Sequence, residues 1–339
     1  MIRSVYLGEF MIKNSTFLIT GGTGSFGKTL LTYLLKNDVQ RVICLSRDED
    51  KQHSLKLQLD DDRVSFLLGD VRDLTTLKIA LRNVDYVFHA AALKHVPASE
   101  VNPIEFIRTN VIGSENLLNA LSTSSVQKAI FLSTDKAVAP VNSMGMTKAL
   151  MEKLVRSNTD SLHQACITRY GNVIGSRGSV IPQFIDSLRT KNEITVTNPL
   201  MTRFLMSLNE SVELVLHAMK HGENGDLFVQ KSPAATVLTI YSALSQLMGI
   251  DNPKIVKIGN RPGEKMHETL LTSEEMFFSS STDRYFQVPK RNFIGSDSSV
   301  NWFGDNAEYT SANTKLLTVD ELVEVFSHNA QISHLISRG

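Results

Sequence analysis

The stretch TGGTGSFG at residues 20–27 constrains this chain more than any other. It follows the apolar run STFLIT (15–20) and precedes the helix-periodic run KTLLTYLLKND (28–38). Glycines between a strand and a helix permit a tight turn, close approach of backbone to a pyrophosphate, and close helix–strand packing. The helix N-terminus then faces the phosphates. In that context Gly21, Thr23, Gly24, Ser25, Phe26 and Gly27 are candidate dinucleotide-binding residues.

The rest of the first half repeats the theme. Buried-strand runs occur at 41–46, 64–70, 84–92, 128–134 and 164–173, and helical runs at 74–83, 102–124 and 144–158. Asn102 reads as the N-cap of the long 102–124 helix, with Pro103 at its first position. Near-continuously apolar strands alternating with helices predict an α/β fold, a Rossmann-type doubly wound parallel sheet. After about residue 175 the pattern loosens, which predicts a second, smaller α/β substrate lobe. The expected division is an N-terminal extension (1–10), a dinucleotide-binding domain (11–175, with a returning segment about 208–245), a substrate lobe (176–207 and 246–320) and a C-terminal tail (321–339). The Ser-rich stretch 279–300 reads as a surface loop, and Met11 is an alternative start.

Bulk properties exclude several classes. Lys plus Arg and Asp plus Glu number 35 each in 339 residues, so no whole-chain field favours nucleic acid or an anionic membrane. No run approaches the roughly 18 apolar residues of a membrane helix, and the first ten residues carry no apolar signal core. Cys44 and Cys166 sit far apart in apolar runs and read as small buried hydrophobes of a reduced, cytoplasmic protein. His217 and His221 stand four apart on a helix, but a pair without a third ligand reads as an ordinary helix face, so no metal is expected.

The second strand ends LSRDEDK. Arg47 falls where an acid for the ribose 2′-hydroxyl is expected, with Lys51 nearby, which favours NADP; Asp48 and Glu49 keep NAD as an alternative. Asp70 and Val71 end the third strand, where an adenine edge could lie, and Ala90, Ala91 and Ala92 end the fourth, where small side chains let a dinucleotide pass. Ser133, Thr134, Asp135 and Lys136 end the fifth, where doubly wound sheets bind ligands. Met144 and Lys148 follow on one helix face at i and i+4.

On these motifs, together with HAAALKHVP, MGMTKALMEK, TRYGNVIGSRGSVIP, MTRFLMS and RPGEKMHETL, the chain resembles the extended short-chain dehydrogenase/reductases. Within them it most resembles the C5-inverting UDP-N-acetylglucosamine 4,6-dehydratases of capsule and O-antigen synthesis. The resemblance spans about residues 12–320. Many relatives on this fold carry Tyr where Met144 stands; the Asp-Lys pair and the Met are features of this branch.

The resemblance implies three stages: oxidation at C4, elimination of water across C5 and C6, and reduction at C6 with inversion at C5. The product is UDP-2-acetamido-2,6-dideoxy-β-L-arabino-4-hexulose. By motif position Lys136 is the base at C5, Asp135 the acid at the C6 oxygen, and Thr134 a hydrogen-bond partner near O4. Lys148 orients the cofactor ribose. A free Lys titrates near ~10.4, so Lys136 needs a lowered pKa; burial and the like charge of Lys148 push that way, while Asp135 and phosphate push the other way. Tyr170, Asn172 and Val173 are implied near the nicotinamide and sugar. Lys94 is implied beside cofactor and sugar, and His95 in the sugar pocket. Arg177, Ser179 and Val180 are implied along the nucleotide, Arg203 and Arg261 as diphosphate ligands, and Glu264 at the uridine ribose. A homo-oligomer, dimer or hexamer, is the family expectation. Two alternatives stand: a UDP-glucose or UDP-N-acetylglucosamine 4-epimerase, and a non-catalytic nucleotide-sugar or NADP sensor.

Overall fold

The computed structural model describes residues 12–158, 164–176, 178–251, 253–290 and 307–337. The apolar runs form β1 (Thr16–Thr20), β2 (Arg41–Ser46), β3 (Val64–Leu68), β4 (Tyr86–His89), β5 (Lys128–Leu132) and β6 (Gln164–Arg169). Between them lie α1 (Ser25–Leu35), α2 (Glu49–Leu59), α3 (Leu74–Ala80), α4 (Val96–Val101), α5 (Pro103–Phe106), α6 (Gly113–Leu121) and α7 (Ser143–Ser157). The six strands pair in parallel in the order β3-β2-β1-β4-β5-β6. Strand order therefore reverses between β1 and β4, the position at which such sheets bind ligands.

Period-two alternation splits the strand residues between two faces. Leu18, Ile43, Val87, Phe131 and Ile167 pack with Leu77, Leu117 and Met151 under α3, α6 and α7. Phe17, Ile19, Val42, Phe88, Ile130 and Cys166 pack with Leu30, Leu34 and Leu55 under α1 and α2. Phe17, Phe88 and Phe131 are fully buried, and each side chain of that kind contributes roughly 1.5–3 kcal/mol. Cys44 and Cys166 are both buried and unbridged.

Beyond β6 come β7 (Asn172–Val173), α8 (Val180–Lys191), β8 (Glu193–Val196) and β9 (Thr202–Met206). The chain then returns through α9 (Leu208–His221), whose Val212, Val215 and Met219 join the second face, and β10 (Leu227–Gln230), parallel to β6. β11 (Ala234–Thr236), α10 (Val237–Leu247), β12 (Lys254–Lys257) and β13 (Thr269–Leu271) follow, then α11 (Ser273–Phe278) and β14 (Ser280–Ser281). β15 (Tyr285–Val288), β16 (Tyr309–Thr310), α12 (Val319–Ser327) and α13 (Ala330–Ser337) complete the elements. A separate apolar cluster of Phe184, Ile194, Leu205, Ile240, Leu244, Leu322 and Phe326 forms the core of the smaller lobe.

Several expectations change. The 102–124 helix is broken: α4 precedes it, and a π-helical turn over Ile107–Ile112 separates α5 from α6. Pro103 does start α5, but the Asn102 side chain makes no cap hydrogen bond. The 164–173 strand divides into β6 and β7. Part of the expected 279–300 loop is sheet: β15 pairs antiparallel with β10 and β14 with β15, while 291–300 lie outside the described residues. Residues 319–337 are no loose tail, because Leu322, Phe326 and Ile332 are fully buried in the smaller lobe. The N-terminal extension and Met11 also lie outside the described residues. Among the described residues, no helix is long and apolar enough to cross a membrane.

Candidate active site

A cleft of about 1520 Å³ runs from the β1–α1 turn, past the ends of β4 and β5, to the smaller lobe. It exceeds the roughly 300–1,000 Å³ of an ordinary small-molecule pocket. At one end the cleft wall is built from absent side chains. Gly21 has φ +70°, and a Cβ there would lie 2.9 Å from the Ala91 amide nitrogen. A Cβ on Gly27 would come within 2.6 Å of Gly22. Gly24 is the N-cap of α1 and brings no side chain to the first amides. A helix N-terminus favours an anion there.

Every residue expected at the cofactor lines this cleft: the 21–27 turn, Arg47, Lys51, Asp70, Val71, Ala90 to Ala92, Lys94, Lys148, Tyr170, Asn172 and Val173. Asp48 accepts from the Lys51 amide at 2.9 Å and thereby caps α2. Burial pushes the Asp70 carboxyl up, but Arg72 at 2.7 Å and Arg47 at 3.4 Å outweigh it, so it sits below the ordinary carboxylate range.

The strap carrying Lys94 and His95 is fixed from behind. Asn110, in the π-helical turn, accepts from Leu93 N at 2.8 Å and donates to Leu93 O at 2.9 Å and Thr147 Oγ1 at 3.0 Å. Sequence reasoning missed Asn110, since periodicity carries no signal for a π turn. His95 packs against Gly178, where a Cβ would lie 2.6 Å from its ring.

At the end of β5 the chain turns through Asp135–Ala137, capped by Thr134. Thr134 Oγ1 donates to Asp135 Oδ1 at 2.8 Å, and Lys136 Nζ donates to the same oxygen at 3.0 Å. Thr134 and Lys136 line the cleft; Asp135 is fully buried behind them, and its Oδ2 has no hydrogen-bond partner. On the far side of Lys136 stands Glu268 Oε1, at 3.5 Å. Burial lowers the Lys136 pKa, but Asp135 and Glu268 outweigh it, leaving the amine above an ordinary Lys. The expectation of a lowered pKa is therefore corrected. The like charge that opposes the raise is Arg203, not Lys148.

Lys148 behaves as Lys136 was expected to. It is buried in the cleft wall, one turn beyond the buried Met144, and burial pulls its pKa down to about 8 against the opposing pull of Glu152. Glu152 is drawn away by Arg169, at 2.5 Å, and by Ser133. Beneath the cleft His89, bonded to Thr20 and Ser114, is pushed down to about 3 by burial and by Lys148.

Towards the smaller lobe, Asn172, Ser179, Val180, Arg261 and Glu264 line the cleft as expected. Arg261 is more than half exposed and lies 4.0 Å from Glu264, whose Oε2 is buried without a partner. Asn142 Nδ2 donates to Gly263 O at 2.9 Å, tying the start of α7 to this loop. Arg203 does not join the cleft lining: it donates to Thr202 O at 2.7 Å and stands 3.9 Å from Glu268. Arg177 lies outside the described residues. The His217 ring stacks on Tyr285 at 4.2 Å and reads as packing.

Comparison with known proteins agrees with this geometry. The family profile described as "Polysaccharide biosynthesis protein" matches residues 17–290. A protein named UDP-glucose 4-epimerase from Rickettsia akari (strain Hartford) is 47% identical, covering 92% of this chain and 95% of its own. The X-ray structure of Pen from Bacillus thuringiensis superposes with a TM-score of 0.87 at 34% identity, over 95% of this chain and 99% of that one. At 23% identity and a TM-score of 0.69, a dTDP-glucose 4,6-dehydratase from Streptomyces venezuelae shares the fold over 74% of this chain and 86% of that one.

Proposed function

The chain belongs to the polysaccharide biosynthesis protein family of nucleotide-sugar-modifying extended short-chain dehydrogenase/reductases, and from that premise we propose that it is a C5-inverting UDP-N-acetylglucosamine 4,6-dehydratase. The carrying observation is the 3.0 Å hydrogen bond between Asp135 and Lys136 at the cleft wall. An acid and a base side by side suit elimination of water from adjacent carbons. A reaction confined to C4 has no use for the pair.

NADP is the proposed cofactor. Arg47 and Lys51 line its end of the cleft; Asp48 lines it too, but its side chain is engaged in capping α2. When bound, the nicotinamide supplies hydride acceptance from C4 and hydride return to C6. Gly21 to Gly27 hold the pyrophosphate, and Lys148 orients the nicotinamide ribose. Met144 has no proton to exchange, so the lowered amine of Lys148 takes the proton of the 4-hydroxyl. Thr134 donates towards O4. Lys136, having passed its own proton to the buried Asp135, removes the proton at C5, acidified by the 4-keto group, and Asp135 returns a proton to the departing C6 oxygen through the Thr134 hydroxyl that lines the cleft. Asn172, Arg261 and Glu264 hold the sugar nucleotide, and His95 borders the hexose. The product is the UDP-linked 6-deoxy-L-arabino-4-hexulose, a precursor for surface polysaccharide.

A second reading, a UDP-sugar 4-epimerase, is favoured by the name of the similar Rickettsia akari protein. Incubation with UDP-N-acetylglucosamine and mass analysis of the product separates the two. Loss of one water supports the dehydratase; an unchanged mass with a galacto-configured product supports the epimerase. Lys136→Ala is expected to abolish water loss while retaining dinucleotide binding, and full turnover by that variant would remove the assignment.

A further inference from the structure

Lys136 is gripped by two carboxylates, and only Asp135 comes from its own segment. Glu268 reaches it from a distant segment, immediately before β13. Its backbone is fixed: the Glu268 amide donates to Ser311 Oγ at 2.9 Å, and that hydroxyl also bonds Thr202 Oγ1 at 2.6 Å. Glu268 is 3% exposed. Its Oε1 lies 3.5 Å from Lys136 Nζ and 3.9 Å from Arg203 Nε, while its Oε2 is buried with no hydrogen-bond partner. A buried carboxylate with an unused oxygen is costly, and Asp135 Oδ2 repeats the pattern across the same amine.

We propose that Glu268 is a positioning residue for the elimination, which holds the Lys136 amine from the segment before β13 and joins Asp135 and Lys136 in one proton-sharing unit. The assignment rests on the dehydratase reading. The charged groups facing the amine are Asp135 in its own turn, Glu268 before β13, Arg203 on β9 and Lys265 in the preceding loop.

Transfer of one proton from the Lys136 ammonium to Asp135 along their hydrogen bond leaves a neutral amine and a protonated acid, with Glu268 still anionic. The amine then takes the C5 proton. The C5–H electron pair becomes the C5=C6 bond, the C6–O bond breaks, and the Asp135 proton, relayed through the Thr134 hydroxyl that lines the cleft, leaves with that oxygen as water. Lys136 is then an ammonium between two carboxylates. Glu268 thus stabilises the charge that develops on Lys136 and keeps the amine aimed across the cleft.

The test compares Glu268→Gln, which removes the charge at constant shape, with Glu268→Asp, which keeps it. Acetylation of Lys136 by acetic anhydride at fixed pH, measured by peptide mass spectrometry against exposed Lys254, reads the neutral fraction of the amine without turnover. Loss of one neighbouring opposite charge should raise that rate about tenfold in the Gln variant, with the Asp variant near wild type. In turnover, the limb of the pH profile set by Lys136 should move to lower pH by about one unit in the Gln variant. A merely structural role would slow the reaction equally at every pH and leave the relative labelling unmoved; that result in folded protein overturns the assignment. Faster labelling in the Gln variant, with no dehydrated product from wild type, overturns the dehydratase reading and the elimination role with it. Dehydrated product with unmoved labelling overturns the Glu268 assignment alone.

Discussion

Lys148 Nζ donates to the thioether sulfur of Met151 at 2.9 Å, while the nearby carboxylate of Glu152 is bound to Arg169. A thioether is a weak acceptor. The buried amine therefore lacks the partner that would keep it charged, and its pKa falls to about 8.

That depression links stability to pH. The folded-state value lies below that of an unfolded lysine, near ~10.4. Between about 8 and ~10.4 the unfolded chain binds the extra proton, so stability rises with pH across that window. Below it the full penalty, on the order of 3 kcal/mol, is present. Lys148→Met should remove this contribution. Denaturation of both proteins at about pH 7 and about pH 10 should show wild type gaining on the variant as pH rises; a constant difference would count against the buried neutral amine.

Met144 is buried and has no acid–base chemistry, so its place is one of packing. Met144→Ala should cost about 2–4 kcal/mol of stability while leaving the product unchanged. The acidic limb of the rate profile, set by protonation of Lys148, should stay in place. Complete loss of turnover in folded Met144→Ala would show that the sulfur does more than fill space.

Arg47 lines the cleft and shares Asp70 with Arg72. Charge-assisted hydrogen bonds are worth about 1.5–3 kcal/mol. Arg47→Ala should therefore weaken NADP binding about 10- to 100-fold, with a much smaller effect on NAD. Calorimetric titration with each dinucleotide checks the difference, and equal losses would remove the 2′-phosphate role.

Asn110 fixes both backbone polar groups of Leu93. Asn110→Ala leaves them unpaired beside the cleft, at a cost of about 1–3 kcal/mol. Looser binding of the dinucleotide should accompany the lower melting temperature, because Ala90 to Lys94 lose their support. Unchanged affinity would confine Asn110 to folding.

What the sequence carried and what it hid divide along physical lines. β1 to β6 were legible because buried parallel strands are near-continuously apolar. The 20–27 turn was legible because its context fixes its role. α2 was missed: only Gln52 and Leu55 along it are buried, so no apolar stripe betrays it. α12 did carry a signal, the capping box between Thr318 and Glu321, which was passed over as tail. Asp135 and Lys136 were found as neighbours in the chain. Glu268 was not, since it lies far along the chain and meets Lys136 only where the β13 segment packs beside the end of β5. The direction of the Lys136 pKa went wrong for the same reason.

The most direct test of the account is proton NMR of turnover of UDP-N-acetylglucosamine in deuterated water. The expected result is a 4-keto product with a new C6 methyl group, deuterium at C5 and the L-arabino configuration. A galacto-configured product that retains its C5 proton and its C6 hydroxymethyl group would contradict it.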